Sequence, residues 1–245
     1  MEIFRLLKSL LLALAVAALS LITISCNTSS TAQVRFVHAI EDAGALDIEI
    51  NSTKIFSDIA FTDLQPLTGY KGAPSGVDTM EGFVSGTTTE AFFVPNVKLF
   101  EGSEYTVVAT GTVVNTNSAV ILVSLDNDNV PNDGTVNFRF INAAPDGPAT
   151  GVDIYVMPAQ EPLQSPATVA GLIYQQTSAY INVPYNKQGS GFVIYVCTAG
   201  TTTPLFSQAL AVGGPTEGAI RTLILTDQQK VEALNPLFVV LNDVN

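Results

Sequence analysis

The sequence predicts an all-β protein of two tandem antiparallel β-sandwich domains, preceded by a short N-terminal signal helix. Three observations predict it. Charged residues make up only 13% of the 245 residues. Thr, Ser, Asn, Gly and Pro supply the polarity instead, a mix that favours strands and turns over long surface helices. Short apolar runs and apolar/polar alternations are punctuated at close intervals by Gly, Pro, Asn and Asp, as in a sandwich. Finally, the chain after residue 33 repeats itself in order, and a repeat sets the architecture.

Residues 1–25 have the pattern of a targeting segment. Arg5 and Lys8 form a positive start, and 10–24 is an apolar run broken only by Ser20 and Thr23. That run is shorter than the ~18 residues of a spanning helix and fits the apolar region of a signal peptide. Ser25-Cys26 at its end resembles the bacterial lipobox, in which the cysteine is acylated and becomes the new N-terminus. The departure is Thr23, where Leu is commonest. The resemblance implies lipidation of Cys26 and a membrane anchor of two or three acyl chains, enough for stable attachment. Asn27 stands where the inner-membrane retention signal would have Asp, so the implied destination is the bacterial outer membrane, facing either the periplasm or the surface. Residues 26–33 are small and polar, as a tether should be.

Without the first 25 residues, 8 basic and 21 acidic side chains leave a net charge of −13. Such a field repels phosphate backbones, which excludes nucleic acid as a partner, and it excludes polybasic binding to lipid headgroups. It suits cations, basic partners and solubility. Cys197 is the one cysteine besides Cys26, and His38 is the one histidine. A disulfide framework and a Cys/His zinc site are therefore both excluded.

The repeat divides the rest into a first domain (34–127), a linker (128–135) and a second domain (136–245). Arg35-Phe36-Val37-His38-Ala39 matches Arg139-Phe140-Ile141-Asn142-Ala143. Leu46-Asp47-Ile48-Glu49-Ile50 matches Val152-Asp153-Ile154-Tyr155-Val156, and Tyr70…Pro74 matches Tyr180…Pro184. Gly86-Thr-Thr-Thr matches Gly200-Thr-Thr-Thr, and Tyr105-Thr106-Val107-Val108 lies opposite Arg221-Thr222-Leu223-Ile224. Ile121 through Leu125 is set opposite Leu237 through Leu241, so the offset drifts from 104 to 116 as loops change length. Alternation places Val152, Ile154 and Val156 on one buried face. The continuous apolar run 120–123 predicts a strand covered on both faces. Residues 168–176 are ambiguous.

The opening of each half resembles the family of bacterial envelope and secreted proteins called "domain of unknown function 4397". Its pattern runs roughly Arg-x-x-His-Ala-x-Pro-Asp-x-Pro-x-x-Asp-x-Tyr. Arg139 through Tyr155 carries it, with Pro145-Asp146 and Pro148. The first half has His38, Asp42 and Asp47 but neither proline, and has Glu49 in place of Tyr. The resemblance extends over 34–245 as two copies. It implies an antiparallel Greek-key (immunoglobulin-like) sandwich and says almost nothing about activity.

Several constellations are candidates for chemistry. Arg35 with Asp47, and Arg139 with Asp153, recur in both halves and read as cross-strand pairs that fix the register of an opening hairpin. His38 lacks the nucleophile and orienting group that catalysis needs, and reads as a turn hydrogen-bonder, as Asn142 can be. Asp126, Asp128 and Asp133, in a segment dense with Asn and Asp, offer hard oxygen ligands suited to Ca²⁺. The same segment is also an ordinary turn-rich linker that needs no metal, and no cofactor is otherwise expected. Cys197 reads as a small buried hydrophobe. Phosphate loops and dinucleotide fingerprints are absent.

The function expected is that of a non-enzymatic cell-envelope lipoprotein acting as a binding or structural, adhesion-like module. It would contact a protein or surface polymer. One alternative is a carbohydrate-binding module, possibly Ca²⁺-dependent, with Tyr70, Tyr155, Tyr174 and Tyr185 coplanar on one sheet. Another is a glycoside hydrolase with a carboxylate pair drawn from Asp42, Asp47, Asp146 and Asp153.

Overall fold

The computed structural model describes residues 30–113, 119–126, 131–185, 191–210, 215–227 and 237–244. The expected signal helix, Cys26 and Asp128 lie outside the described residues. Residues Thr31–Asn245 form one compact unit, and the described part of it is strands and turns.

The first half holds β1 (Thr31–Ile40), β2 (Leu46–Ile50), β3 (Thr53–Ile59), β4 (Leu64–Gln65), β5 (Lys71–Pro74), β6 (Gly76–Val84), β7 (Glu90–Leu99), β8 (Glu104–Gly111) and β9 (Val120–Leu125). The second holds β10 (Thr135–Ala143), β11 (Val152–Pro158), β12 (Val169–Leu172), β13 (Ile181–Pro184), β14 (Phe192–Thr198), β15 (Pro204–Leu210), β16 (Ile220–Thr226) and β17 (Leu237–Val244). The ambiguous 168–176 thus contains a short strand.

Each half is a sandwich with the same sheet order. The inner sheets run β4-β1-β8-β9, with β5 also on β1, and β13-β10-β16-β17; the outer sheets run β3-β2-β6-β7 and β12-β11-β14-β15. One departure from the antiparallel expectation lies at the centre of each inner sheet. There β1 pairs parallel with β8, and β10 with β16. The cause is the step after the first strand, where the chain crosses from inner to outer sheet instead of turning back as a hairpin. The first strand's edge is left for a partner far along the chain.

Side-chain alternation then builds three cores. Val34, Phe36 and Ile40 of β1 meet Leu46, Ile48 and Ile50 inside the first sandwich. Phe138, Phe140 and Leu223 meet Val152, Ile154 and Val196 inside the second. The opposite faces of the two inner sheets pack on each other through Val37, Ala39, Val108, Ile141, Ile224 and Leu241. The result is four sheets in a stack, outer–inner–inner–outer. Strands β1, β8, β10 and β16 are accordingly buried along almost their whole length. The run 120–123, expected to be covered on both faces, is instead an edge strand, with Val123 38% and Leu125 59% exposed.

Strand register also corrects the alignment of the halves. Thr106 and Thr222 are equivalent, being the partners of Arg35 and Arg139. Ser124 lies opposite Thr106, and Leu241 opposite Thr222. Ile121 therefore corresponds to Phe238, not Leu237, and Asp126 corresponds to Asp243. An irregularity between Ile220 and Arg221 hides this shift in the sequence.

Candidate functional site

The expected pairs Arg35–Asp47 and Arg139–Asp153 do not form, and the reason is geometric. Arg35 shares a face with Val37 and Ala39 and points away from the first core, toward the other half. Asp47 sits between Leu46 and Ile48, which point into that core, so it faces outward from the outer sheet. The two residues are on opposite sides of one sandwich. Asp47 accepts instead from Lys54 Nζ at 2.6 Å and from the Asp58 N–H at 2.9 Å. These two contacts hold its carboxyl below the usual range. Asp153 accepts from the N–H groups of Gly171 at 2.7 Å and Gly200 at 2.8 Å. Both aspartates tie neighbouring backbone to the outer sheet.

The arginines meet across the interface between the halves. Arg35 Nε donates to Thr106 Oγ1 at 2.8 Å, and Arg139 Nε to Thr222 Oγ1 at 3.0 Å. Thr106 donates to Asp126 and Thr222 to Asp243, each at 2.6 Å. The ion pairs then cross from one half to the other. Arg35 binds Asp243, and Arg139 binds Asp126 at 2.5 Å, while Arg35 also approaches Asp126 at 3.2 Å. The four charged side chains are each only 2% exposed.

Tyrosines cover the cluster from both sides. The Arg35 guanidinium lies 5.1 Å from the Tyr70 ring centroid and that of Arg139 4.6 Å from Tyr180. Tyr70 OH donates to Asp126 at 2.7 Å, and Tyr180 OH to Asp243 at 3.3 Å. Burial, reinforced by these carboxylates, pushes both phenols far up, so they stay protonated and act as donors. Burial alone would lower the pKa of Arg35, but Asp243 and Asp126 outweigh it and hold it above its ordinary value. Two positive and two negative charges thus neutralise one another in a dry interior, with their hydrogen-bonding capacity met by threonine, tyrosine and backbone carbonyl.

This corrects the reading of Asp126 as a Ca²⁺ ligand: its oxygens are engaged by Arg139, Thr106 and Tyr70, and two guanidinium groups already balance its charge. Asp133 is exposed on the connecting segment. Three other carboxylates do converge. Ligand oxygens of Glu41, Asp146 and Asp227 lie within 4.8 Å of one another, at the opposite end of the inter-half seam from the arginines. Asp146 and Asp227 also border a cleft of about 460 Å³ walled by Val152, Val196, Leu205 and Phe206.

The remaining candidates are structural. His38 is fully buried, with Nδ1 accepting from the Ile40 N–H at 3.2 Å and Nε2–H donating to the Gly44 carbonyl at 3.0 Å. The backbone donor at Nδ1 fixes the proton on Nε2. Asn142 repeats both bonds, with Ala144 and Leu172, as the turn reading expects. Burial pushes His38 down to about 4. Cys197 is buried, and burial together with nearby Asp153 pushes its thiol up. Tyr155 is buried, Tyr70 covers the arginine cluster, and Tyr185 packs on the second core. The four tyrosines therefore do not form one stacking platform.

Sequence reasoning found the arginines and both tyrosines as repeated positions but missed Asp243, because the irregularity before it breaks the spacing. Fold and site together define a class: an all-β protein of two stacked sandwiches joined through a buried, self-neutralising charge cluster. Within that class, residues 32–155 match the model of a family described as a domain of unknown function, DUF4397. The match covers half of the chain, from β1 into β11, and the chain belongs to that family. No curated protein matches it.

Proposed function

We propose that this chain is a non-enzymatic lipoprotein of the bacterial cell envelope, built from two tandem copies of the family domain. It serves as a stiff binding or structural module, anchored through Cys26 in the outer membrane. The observation that carries this reading is the buried cluster of Arg35, Arg139, Asp126 and Asp243. Its charged groups are spent on one another, and their effect is to hold two sandwiches in a fixed relation. A body of fixed shape suits presenting a surface to a protein or polymer partner. The equal sheet order and the equivalent contacts in both halves support the duplication. Of the carboxylates named for hydrolysis, Asp47 and Asp153 lie on the two outermost sheets of the stack, too far apart to act as a pair.

Digestion of intact cells with a protease that cannot enter, followed by fractionation of the parent and a Cys26→Ser variant, tests the proposal. The parent should fractionate with outer membrane and Cys26→Ser should be lost from that fraction. A variant that fractionates like the parent overturns the anchor. Loss of the parent on intact cells assigns the module to the outer surface; protection until the outer membrane is opened assigns it to the periplasmic side.

A further inference from the structure

Sheet edges offer unpaired backbone groups to any strand that approaches, and folded chains protect them with charge, proline, bulges or short length. Most edges here follow that rule. Strand β3 carries Lys54 and two register irregularities, β7 carries Pro95, Lys98 and two irregularities, and β15 begins at Pro204 with a bulge beside it. Strand β12 is four residues long. Strand β9, Val-Ile-Leu-Val-Ser-Leu, has none of these devices and pairs with β8 without a break.

The two halves differ at the corresponding place. In the second half, Gln208 of β15 reaches across the mouth of the sandwich to the edge strand β17. Its amide nitrogen donates to the Phe238 carbonyl at 3.3 Å, and its oxygen accepts from the Phe238 N–H at 2.8 Å. One carboxamide thus occupies both outward groups of that residue. The residue equivalent to Phe238 is Ile121, and the residue equivalent to Gln208 is Val94, since Ile194 faces Gln208 as Met80 faces Val94. Valine cannot make either bond. The Asp126 N–H bonds inward to the Glu104 carbonyl at 2.8 Å, so by alternation Ile121, Val123 and Leu125 turn their N–H and C=O groups outward. Beside them opens a mostly apolar groove of about 400 Å³, lined by Val94, Val97, Phe100, Ile121, Val123 and Leu125, with Asn96 and Lys98 also in its wall. Phe100 is 67% exposed there.

We propose that the outer edge of β9, which pairs with no other strand among the described residues, pairs antiparallel with β9 of a second copy of this chain, each copy covering the other's groove mouth. The strand is its own complement. Set about a two-fold axis through Val123, Val123 faces Val123 and Ile121 faces Leu125, with every outward backbone group matched. The strand carries no charge, so no like charges meet along it despite the acidic chain around it. The pairing also continues an existing interface: the opposite face of the same strand, through Leu122 and Ser124, already packs in the seam between the halves. The added strand extends that inner sheet.

Sedimentation of the mature chain, residues 26–245 carrying Cys26→Ser so that neither acyl chains nor the apolar segment 10–24 contribute to association, tests the proposal. A reversible monomer–dimer equilibrium that tightens as salt screens the net negative charge is expected. Val123→Lys places two like charges at the symmetry axis and should weaken it roughly tenfold or more. Val94→Gln, which gives the first half the cap of the second, should weaken it too. Hydrogen exchange at Ile121, Val123 and Leu125 should slow with rising concentration, and that at Phe238 should not. A chain that stays monomeric at all concentrations overturns the proposal, whether or not a strand from another protein binds the edge. So does a dimer whose strength neither variant changes.

Discussion

The first and second halves bring the same four residue types to their shared seam, on the same strands, and spend them unequally. Asp126 forms ion pairs with both arginines, while Asp243 pairs with Arg35. Position in the chain accounts for the difference. Asp126 directly follows the first half's last strand and lies 13 residues before Arg139, so it sits between the halves by covalent connection. Asp243 reaches the seam only through the irregular end of β17. The halves differ likewise in a turn, where His38 stands for Asn142, and in an outer-sheet tie, where Lys54 adds a cation that Asp153 lacks. Equivalent backbone positions therefore do not imply equal energetic weight.

The largest expected effect breaks the seam itself. Asp126→Ala leaves Arg139 buried without its carboxylate and should cost ~3–5 kcal/mol of unfolding free energy. Asp243→Ala should cost measurably less. Urea unfolding of both variants decides the order, and a greater loss in the Asp243 variant would refute the asymmetry.

Next in size is the one titrating difference between the turns. The folded state holds His38 at about 4, below its ordinary 6.5. The neutral ring is the form that fits, so its contribution is complete above pH 6.5 and is lost as pH falls toward 4. Integrated over that window the loss is ~3 kcal/mol. His38→Asn copies the second half and should flatten this part of the profile. A profile unchanged by the substitution assigns the acid sensitivity elsewhere.

The smallest effect concerns Lys54. Its side chain is 51% exposed, so Lys54→Ala should leave the melting temperature unchanged within error. A clear drop would give the first half's outer sheet a dependence that the second does not share.

Much of the fold was legible because alternation and repetition are local. Val152, Ile154 and Val156 announced a buried face, and the repeated Arg, Tyr and Thr-Thr-Thr positions marked equivalent strands and turns. Alternation states on which side of a strand a residue lies. It does not state which sheet the next strand joins. Arg35 and Asp47 read as a hairpin pair for that reason, although the chain changes sheet between them. The parallel partner of β1 was illegible because β8 lies some seventy residues on, as the Arg35–Thr106 bond spans. Asp243 and Gln208 were hidden for a third reason: one extra residue at an irregular strand end and a single unrepeated carboxamide leave no periodic trace.

The parallel pairing at the centre of each inner sheet fixes where the chain comes and goes. Strand β1 starts beside the start of β8, and β9 ends there too, with Gln33 level with Glu104 and Tyr105 level with Leu125. The second half repeats this, its β10 starting and β17 ending near Ile220. Entry, crossover and exit therefore gather at the pole that holds the arginines, like leads at one terminal of a cell. The other pole carries Glu41, Asp146, Asp227 and the neighbouring cleft. Labels placed beside residue 31 or residue 244 will sit at the near pole, and loop grafts meant for display belong at the far one.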